Sequence, residues 1–210
     1  MSDNREEFVK VILLGESGVG KTNLINIFTG GEFNENEAVS LTSSFLLKKI
    51  TVNGKKYTIQ LWDTIGQERL RQLTKLFYND SKIVIFVYDI TRKFTFDEIK
   101  NYWINDVEEK LGQNLIKGII GNKIDLYLNQ QVSDEEAEEY AKSIGAQFSL
   151  TSAKNEGAVI FERLLIKLYE QYLHKNKIIR GAKTFQKTKS VYLKKQKEVG
   201  DTNTSKKKCC

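Results

Sequence analysis

The run Gly15-Glu16-Ser17-Gly18-Val19-Gly20-Lys21-Thr22 fits the spacing G-x-x-x-x-G-K-[ST] and lies between a strand-like and a helix-like segment. Glycines at these positions let consecutive backbone N–H groups turn inward around phosphate oxygens, and the helix that follows adds the positive end of its dipole. Lys21 is spaced to reach β and γ phosphates, and the Thr22 hydroxyl is spaced to bind Mg²⁺. The competing reading is a Gly-rich turn without a ligand.

A second run, Leu61-Trp62-Asp63-Thr64-Ile65-Gly66-Gln67-Glu68, puts a carboxylate at a strand end, where Asp63 could join the Mg²⁺ shell. Gly66 could offer its N–H to a γ-phosphate and Gln67 could orient an attacking water. Two further strand ends carry Gly121-Asn122-Lys123-Ile124-Asp125 and Thr151-Ser152-Ala153-Lys154. The Asp125 carboxylate accepts from both the ring N–H and the exocyclic amine of guanine. Adenine presents an acceptor at the first of these positions, so guanine is selected. Lys123 is placed to lie along one face of the base, and the Ala153 N–H to meet the guanine carbonyl.

Strands and helices must hold these loops together. Phe8 to Leu14 reads as a buried strand and Lys21 to Phe28 as a helix, with Leu24, Ile25 and Phe28 on one face. Phe45 to Val52 and Tyr57 to Trp62 flank Asn53-Gly54 and are expected to pair antiparallel. The continuous apolar runs Ile83 to Tyr88 and Ile116 to Ile120 suit strands covered on both faces, with a helix over Thr95 to Lys110 between them. Ser133 with Glu136 makes a capping-box start for a helix through Lys142. Asn155 is placed to cap a last helix with Ile160, Leu164, Leu168 and Tyr172 on one face. The alternation predicts an α/β domain: a mostly parallel six-stranded sheet with one antiparallel strand and helices on both faces.

Taken together, the motifs resemble the small GTPases of the Ras superfamily and, more narrowly, their Rab branch, over about residues 8 to 174 and the final two cysteines. Phe86-Val87-Tyr88-Asp89-Ile90-Thr91 matches that family's fourth-strand signature, Trp62-Asp63-Thr64 and Gln67-Glu68-Arg69 its second switch, and Trp103 its third-helix Trp. The resemblance implies GTP binding, with slow hydrolysis to GDP that needs an activating protein. It implies a nucleotide pocket of Ser17, Gly18, Val19, Gly20, Lys21, Thr22, Asn23, Phe33, Ser40, Gly66, Asn122, Lys123, Asp125, Ser152, Ala153 and Lys154. Thr22, Ser40 and Asp63 would hold Mg²⁺, and Gln67 would be the catalytic residue. Phe45, Trp62 and Phe77 occupy the positions of an aromatic effector-binding triad, with core packing as the alternative for each.

The chain departs from the family at two places. Ser40-Leu41-Thr42 stands where the family has Thr-Ile-Gly, which keeps the metal-binding hydroxyl and loses a flexible backbone site. Ile65 stands where the family has Ala, and its stiff β-branched side chain is expected to crowd the second switch and change hydrolysis or exchange more than binding. A guanine-nucleotide-binding scaffold without useful hydrolysis is the competing class, and the intact Gln67 speaks against it.

The net charge of +6 over 210 residues is unevenly spread. Residues 1 to 174 hold 21 basic and 25 acidic side chains, net −4, whereas residues 175 to 210 hold 12 basic and 2 acidic, net +10. A GTP-binding domain over 1–174 and a flexible basic tail over 175–210 are therefore expected. The slightly acidic domain argues against nucleic acid as a partner. No apolar run approaches the roughly 20 residues needed to cross a bilayer. The start of the chain has no apolar leader core and no Gly at position 2, so neither secretion nor N-myristoylation is expected.

Lys206-Lys207-Lys208-Cys209-Cys210 resembles the Rab double-prenylation site, making Cys209 and Cys210 the lipidation sites. Two lipid chains, or one with basic residues, anchor a protein stably, and the +10 tail favours anionic cytoplasmic leaflets. Solubility and unmodified thiols are the plainer readings of the Lys run and the Cys pair. The resemblance implies a monomeric, membrane-anchored switch in vesicle trafficking on the cytoplasmic face of an intracellular membrane, cycling with the cytosol. Its partners would be an exchange factor, a GTPase-activating protein, effectors, a prenylation escort and a GDP-dissociation inhibitor.

Overall fold

The structure is a computed structural model that describes residues 8–35, 44–64 and 71–177. The chain divides into two units, Met1–Tyr172 and Leu173–Cys210, and the fold concerns the first. Its strands are β1 (Val9–Leu14), β2 (Ser44–Val52), β3 (Lys55–Asp63), β4 (Ile83–Asp89), β5 (Ile116–Asn122) and β6 (Gln147–Leu150). They form one sheet in the order β2-β3-β1-β4-β5-β6. The β2–β3 pair is antiparallel and every other pair is parallel, as the alternation of elements predicts.

Asn53 and Gly54 join β2 to β3 with φ values of 50° and 74°, the two left-handed residues of a tight hairpin turn. The turn fixes a register in which Phe45 faces Trp62 and Ser44 faces Asp63. Strand β1 starts at Val9, one residue later than expected, with Phe8 half exposed.

Side chains alternate across the sheet, so each strand serves two cores. Ile12, Leu14, Val84, Phe86, Tyr88 and Ile119 pack with Phe96, Ile99, Trp103, Val107, Ala137 and Ala141 on one face. The intervening residues Val11, Leu13, Ile83, Ile85 and Val87 are equally buried on the other. There α1 (Lys21–Thr29) meets the last helix, α5 (residues 157–177), through Phe28 and Phe161, whose rings meet edge to face at 5.3 Å. A Cβ on Gly118 of β5 would meet Leu164 and Leu168 of α5, so the absence of a side chain lets that helix seat closely.

Three helical expectations need correction. The helix expected over Thr95 to Lys110 runs further and is not uniform: α3 joins Lys93–Glu98, a π segment at Ile99–Trp103, and Ile104–Leu111. The π geometry is absent from the local periodicity because it answers to packing partners distant in sequence. Helix α4 (Asp134–Ser143) has its Ser133 cap, with the Glu136 N–H donating to Ser133 Oγ at 3.1 Å. The Glu136 carboxylate does not turn back to close the box. It accepts from Lys93 and Lys100 of α3 at 2.8 and 3.2 Å, two charged donors that outcompete one neutral N–H.

Asn155 does not cap α5. Its N–H donates to Ser152 O in the turn before the helix, and Glu156 O accepts the first helical bond, from Ile160. The buried stripe of α5 is Phe161, Leu164, Leu165, Leu168 and Tyr169, with Ile160 and Tyr172 only half buried at its margins. Arg71–Thr74 (α2) and the 3₁₀ turns Lys75–Phe77 and Ile124–Asn129 complete the described elements.

Candidate functional site

Four segments converge beyond the carboxyl ends of β1, β3, β5 and β6, where an open parallel sheet binds its ligands. In the loop after β1, Gly15, Gly18 and Gly20 adopt φ values of 144°, 73° and 96°. The curled backbone wraps the Lys21 ammonium, which donates to Gly15 O at 2.9 Å and Glu16 O at 3.0 Å. Burial pushes the Lys21 ammonium down to about 8. Asp63 and Glu16 oppose that fall and Arg92 adds to it.

The loop cannot relax outward because β4 lies against it: a Cβ on Gly15 would sit 2.1 Å from Val87 O. Gly15→Ala is therefore expected to lower stability by about 3 kcal/mol, combining a backbone clash with a disfavoured φ, as measured by urea unfolding. A midpoint equal to that of the unsubstituted protein would contradict this packing.

Thr22, at the start of α1, and Asp63, at the end of β3, meet directly, with Thr22 Oγ1 donating to Asp63 Oδ2 at 2.7 Å. Thr64 Oγ1 donates to Leu13 O at 2.5 Å and pins the end of β3 to β1. The two oxygen side chains expected to share a metal are thus neighbours, although 41 residues separate them. A hydroxyl beside a carboxylate is a hard oxygen donor set that suits Mg²⁺.

On the base side, Asn122 stitches three loops. Its Nδ2 donates to Val19 O at 2.8 Å, and its Oδ1 accepts from the Ala153 N–H at 3.1 Å. The Ala153 N–H, expected to face a base carbonyl, is engaged by this amide. Ser152 Oγ donates to Asp125 Oδ1 at 2.5 Å and accepts from the Lys154 N–H at 3.2 Å, fixing the carboxylate. Lys123 takes φ 70° and its ammonium meets Asp89 Oδ2 at 2.7 Å. Asn23 exchanges both of its amide hydrogen bonds with the Asn34 backbone, holding the segment that carries the half-buried Phe33. Ser40, Gly66 and Gln67, with Thr42 and Ile65, lie outside the described residues, as do Cys209 and Cys210.

The three aromatics of the expected triad form one cluster. Phe45 stacks on Trp62 at 5.0 Å, Trp62 meets Phe77 at 5.4 Å, and Lys10 Nζ lies 4.3 Å over the Trp62 ring. Phe45 is 49% exposed and Phe77 is only partly covered, whereas the partly buried Trp62 also packs against the core.

Several side chains that the motif spacing does not single out also brace the site. Asp89, buried at the end of β4, accepts from Lys123, Arg92 and Thr91. Burial alone would raise its pKa, but the hydrogen bonds from Lys123 and Thr91 win and hold its carboxyl below the ordinary range. Arg92 also donates to Ser17 O at 3.1 Å. A carboxylate ending a fully apolar strand was the available signal for Asp89. Arg92 and Glu16 carried none.

A family model described as Ras family matches residues 10–171. The chain is 40% identical over 174 residues to the Ras-related protein Rab-21 of Homo sapiens, covering 83% of this chain and 76% of that protein. It is 39% identical to Homo sapiens Rab-8B over 76% of each chain. The chain belongs to the Rab family of Ras-related small GTPases. It is also 38% identical to Rab-11C of Dictyostelium discoideum, covering 80% of this chain and 75% of that protein. This Rab is accordingly a guanine-nucleotide-binding GTPase, and its sheet and loops are those of the family's fold.

Proposed function

We propose that this Rab is a membrane-anchored switch in vesicle trafficking, whose first 174 residues bind GTP with Mg²⁺ and whose basic tail, 175–210, carries lipids on Cys209 and Cys210. The observation that supports the nucleotide reading is the Asn122 amide, which ties the phosphate loop to the loop of Ala153 and so sets the two proposed ends of a nucleotide site side by side. Lys21 and the loop N–H groups take the phosphates, while Asp125, held by Ser152, reads guanine.

Thr22, Asp63 and Ser40 would hold Mg²⁺, which neutralises phosphate charge when bound. Gln67 would orient water, and Gly66 and Ser40 would follow the γ-phosphate, so that hydrolysis frees both switch segments. The partly exposed cluster of Phe45, Trp62 and Phe77 is the surface an effector would read. An exchange factor and an activating protein set the cycle, and a prenylation escort and a GDP-dissociation inhibitor handle the lipidated tail. The protein works as a monomer on the cytoplasmic face of an intracellular membrane, without nucleic acid as a partner.

The experiment is to release the nucleotide carried by the purified full chain, identify it by chromatography, and then follow added GTP over hours with and without Mg²⁺. Bound GDP or GTP, slow conversion to GDP and faster nucleotide loss without Mg²⁺ are expected. Adenine nucleotide, or none, would overturn the base-reading role of Asp125. GTP left unchanged would overturn the switch and leave a scaffold.

A further inference from the structure

Glu16 is the second residue of the phosphate loop, and its side chain is buried. Its Oε1 accepts a 2.9 Å hydrogen bond from the indole Nε1 of Trp103, which has no exposed surface. The Glu16 backbone carbonyl, a few bonds away, accepts from the Lys21 ammonium at 3.0 Å. One residue thus carries both the outer anchor of the loop and one of the two carbonyls that aim the phosphate-binding lysine. Trp103 is in turn the last residue of the π segment Ile99–Trp103. Such segments are rare, cost hydrogen-bond geometry, and occur often at functional sites. Here the wider turn ends on the residue that reaches across the core, 87 positions along the chain, to the phosphate loop.

We propose that Trp103 is a positioning residue for nucleotide retention: its indole N–H, held by the π segment, fixes Glu16 and through it the loop carbonyls that orient Lys21. A charge-assisted hydrogen bond in a dry core is strong, because neither partner has water to turn to when it is broken. Loss of the bond lets the loop depart from its phosphate-wrapping geometry and the nucleotide leave sooner. The inference rests on the nucleotide reading above.

The test measures release of a fluorescent GDP analogue from the full chain with Mg²⁺ present, for Glu16→Ala, Glu16→Gln, Trp103→Phe and the double variant Glu16→Ala/Trp103→Phe. Glu16→Ala and Trp103→Phe should each speed release about tenfold or more, the size expected for losing a hydrogen bond to a charged group. The double variant should be no faster than the faster single one. Glu16→Gln keeps an oxygen acceptor and should restore release to within about threefold of the unsubstituted rate, which a general loosening of the core would not do.

The chain has two tryptophans, so its indole N–H spectrum holds two signals, assigned by the Trp103→Phe spectrum. The Trp103 signal should move on Glu16→Gln. Unchanged release in Glu16→Ala, or multiplied effects in the double variant, would overturn the proposal even if Trp103→Phe folds poorly. A protein that binds no nucleotide would instead overturn the underlying reading, so the two failures are distinguishable.

Discussion

Asp125→Asn is expected to weaken guanine-nucleotide binding by about 100- to 1,000-fold and to raise affinity for the xanthine nucleotide relative to the guanine one. Ser152 Oγ donates to Asp125 Oδ1, which keeps a second lone pair for the ring N–H and leaves Oδ2 for the exocyclic amine. Asn keeps an oxygen acceptor for Ser152 and therefore presents its NH₂ to the base in place of Oδ2. Guanine then meets a donor with its own donors, and both the lost charge-assisted pair and the new repulsion count against it. Xanthine has a carbonyl where guanine has the exocyclic amine, and a carbonyl accepts from the new donor. Each buried polar mismatch costs a few kcal/mol, which sets the fold-change. Competition of xanthosine and guanosine diphosphates against a fluorescent GDP analogue measures it. Equal preference for guanine before and after the substitution would remove Asp125 from base recognition.

Lys21→Ala is expected to lower nucleotide affinity by about 100-fold or more, because it removes a buried cation aimed into the phosphate loop. The same residue gives a pH signature with a defined sign. Burial pushes its ammonium from the ordinary 10.5 to about 8, so between those values the unfolded chain keeps a proton that the folded chain has lost. Its contribution to the stability of the nucleotide-free protein is unfavourable below pH 8 and is relieved as pH rises through 8 towards 10.5.

Phosphate reverses the preference, since an anion beside the ammonium holds the proton on. Binding above pH 8 then takes up a proton, and affinity falls as pH rises, by up to about tenfold per unit. Titrations of a GDP analogue at pH 7, 8 and 9 should show this slope in the unsubstituted protein and lose it in Lys21→Ala. A slope that survives the substitution would assign the titration to another group.

The phosphate loop, the Asp63 strand end and the Asn122 to Asp125 run were all legible in the sequence, because each is a local pattern: a turn, its glycines and a side chain at fixed offsets. Strand positions and the Asn53-Gly54 hairpin were legible for the same reason, since periodicity and turn chemistry act over a few residues. The errors also share a cause. Asn155 has the chemistry of a cap, but the turn closed by Ser152 sets where α5 starts. Glu136 has the spacing to close a capping box, but Lys93 and Lys100 arrive from another helix.

The amino-acid sequence by itself determined the kind of ligand and the family, through residues whose roles depend on their own chemistry and on neighbours a few positions away. Tertiary structure alone decided how those residues are aimed. Asn122 joining loops 103 positions apart, Asp89 gathering Lys123 and Arg92, and Trp103 reaching Glu16 from a π segment are contacts between residues brought together by the sheet. Aim is decided there because a buried polar group must find its partner wherever the packed chain places one, and that placement depends on the whole core.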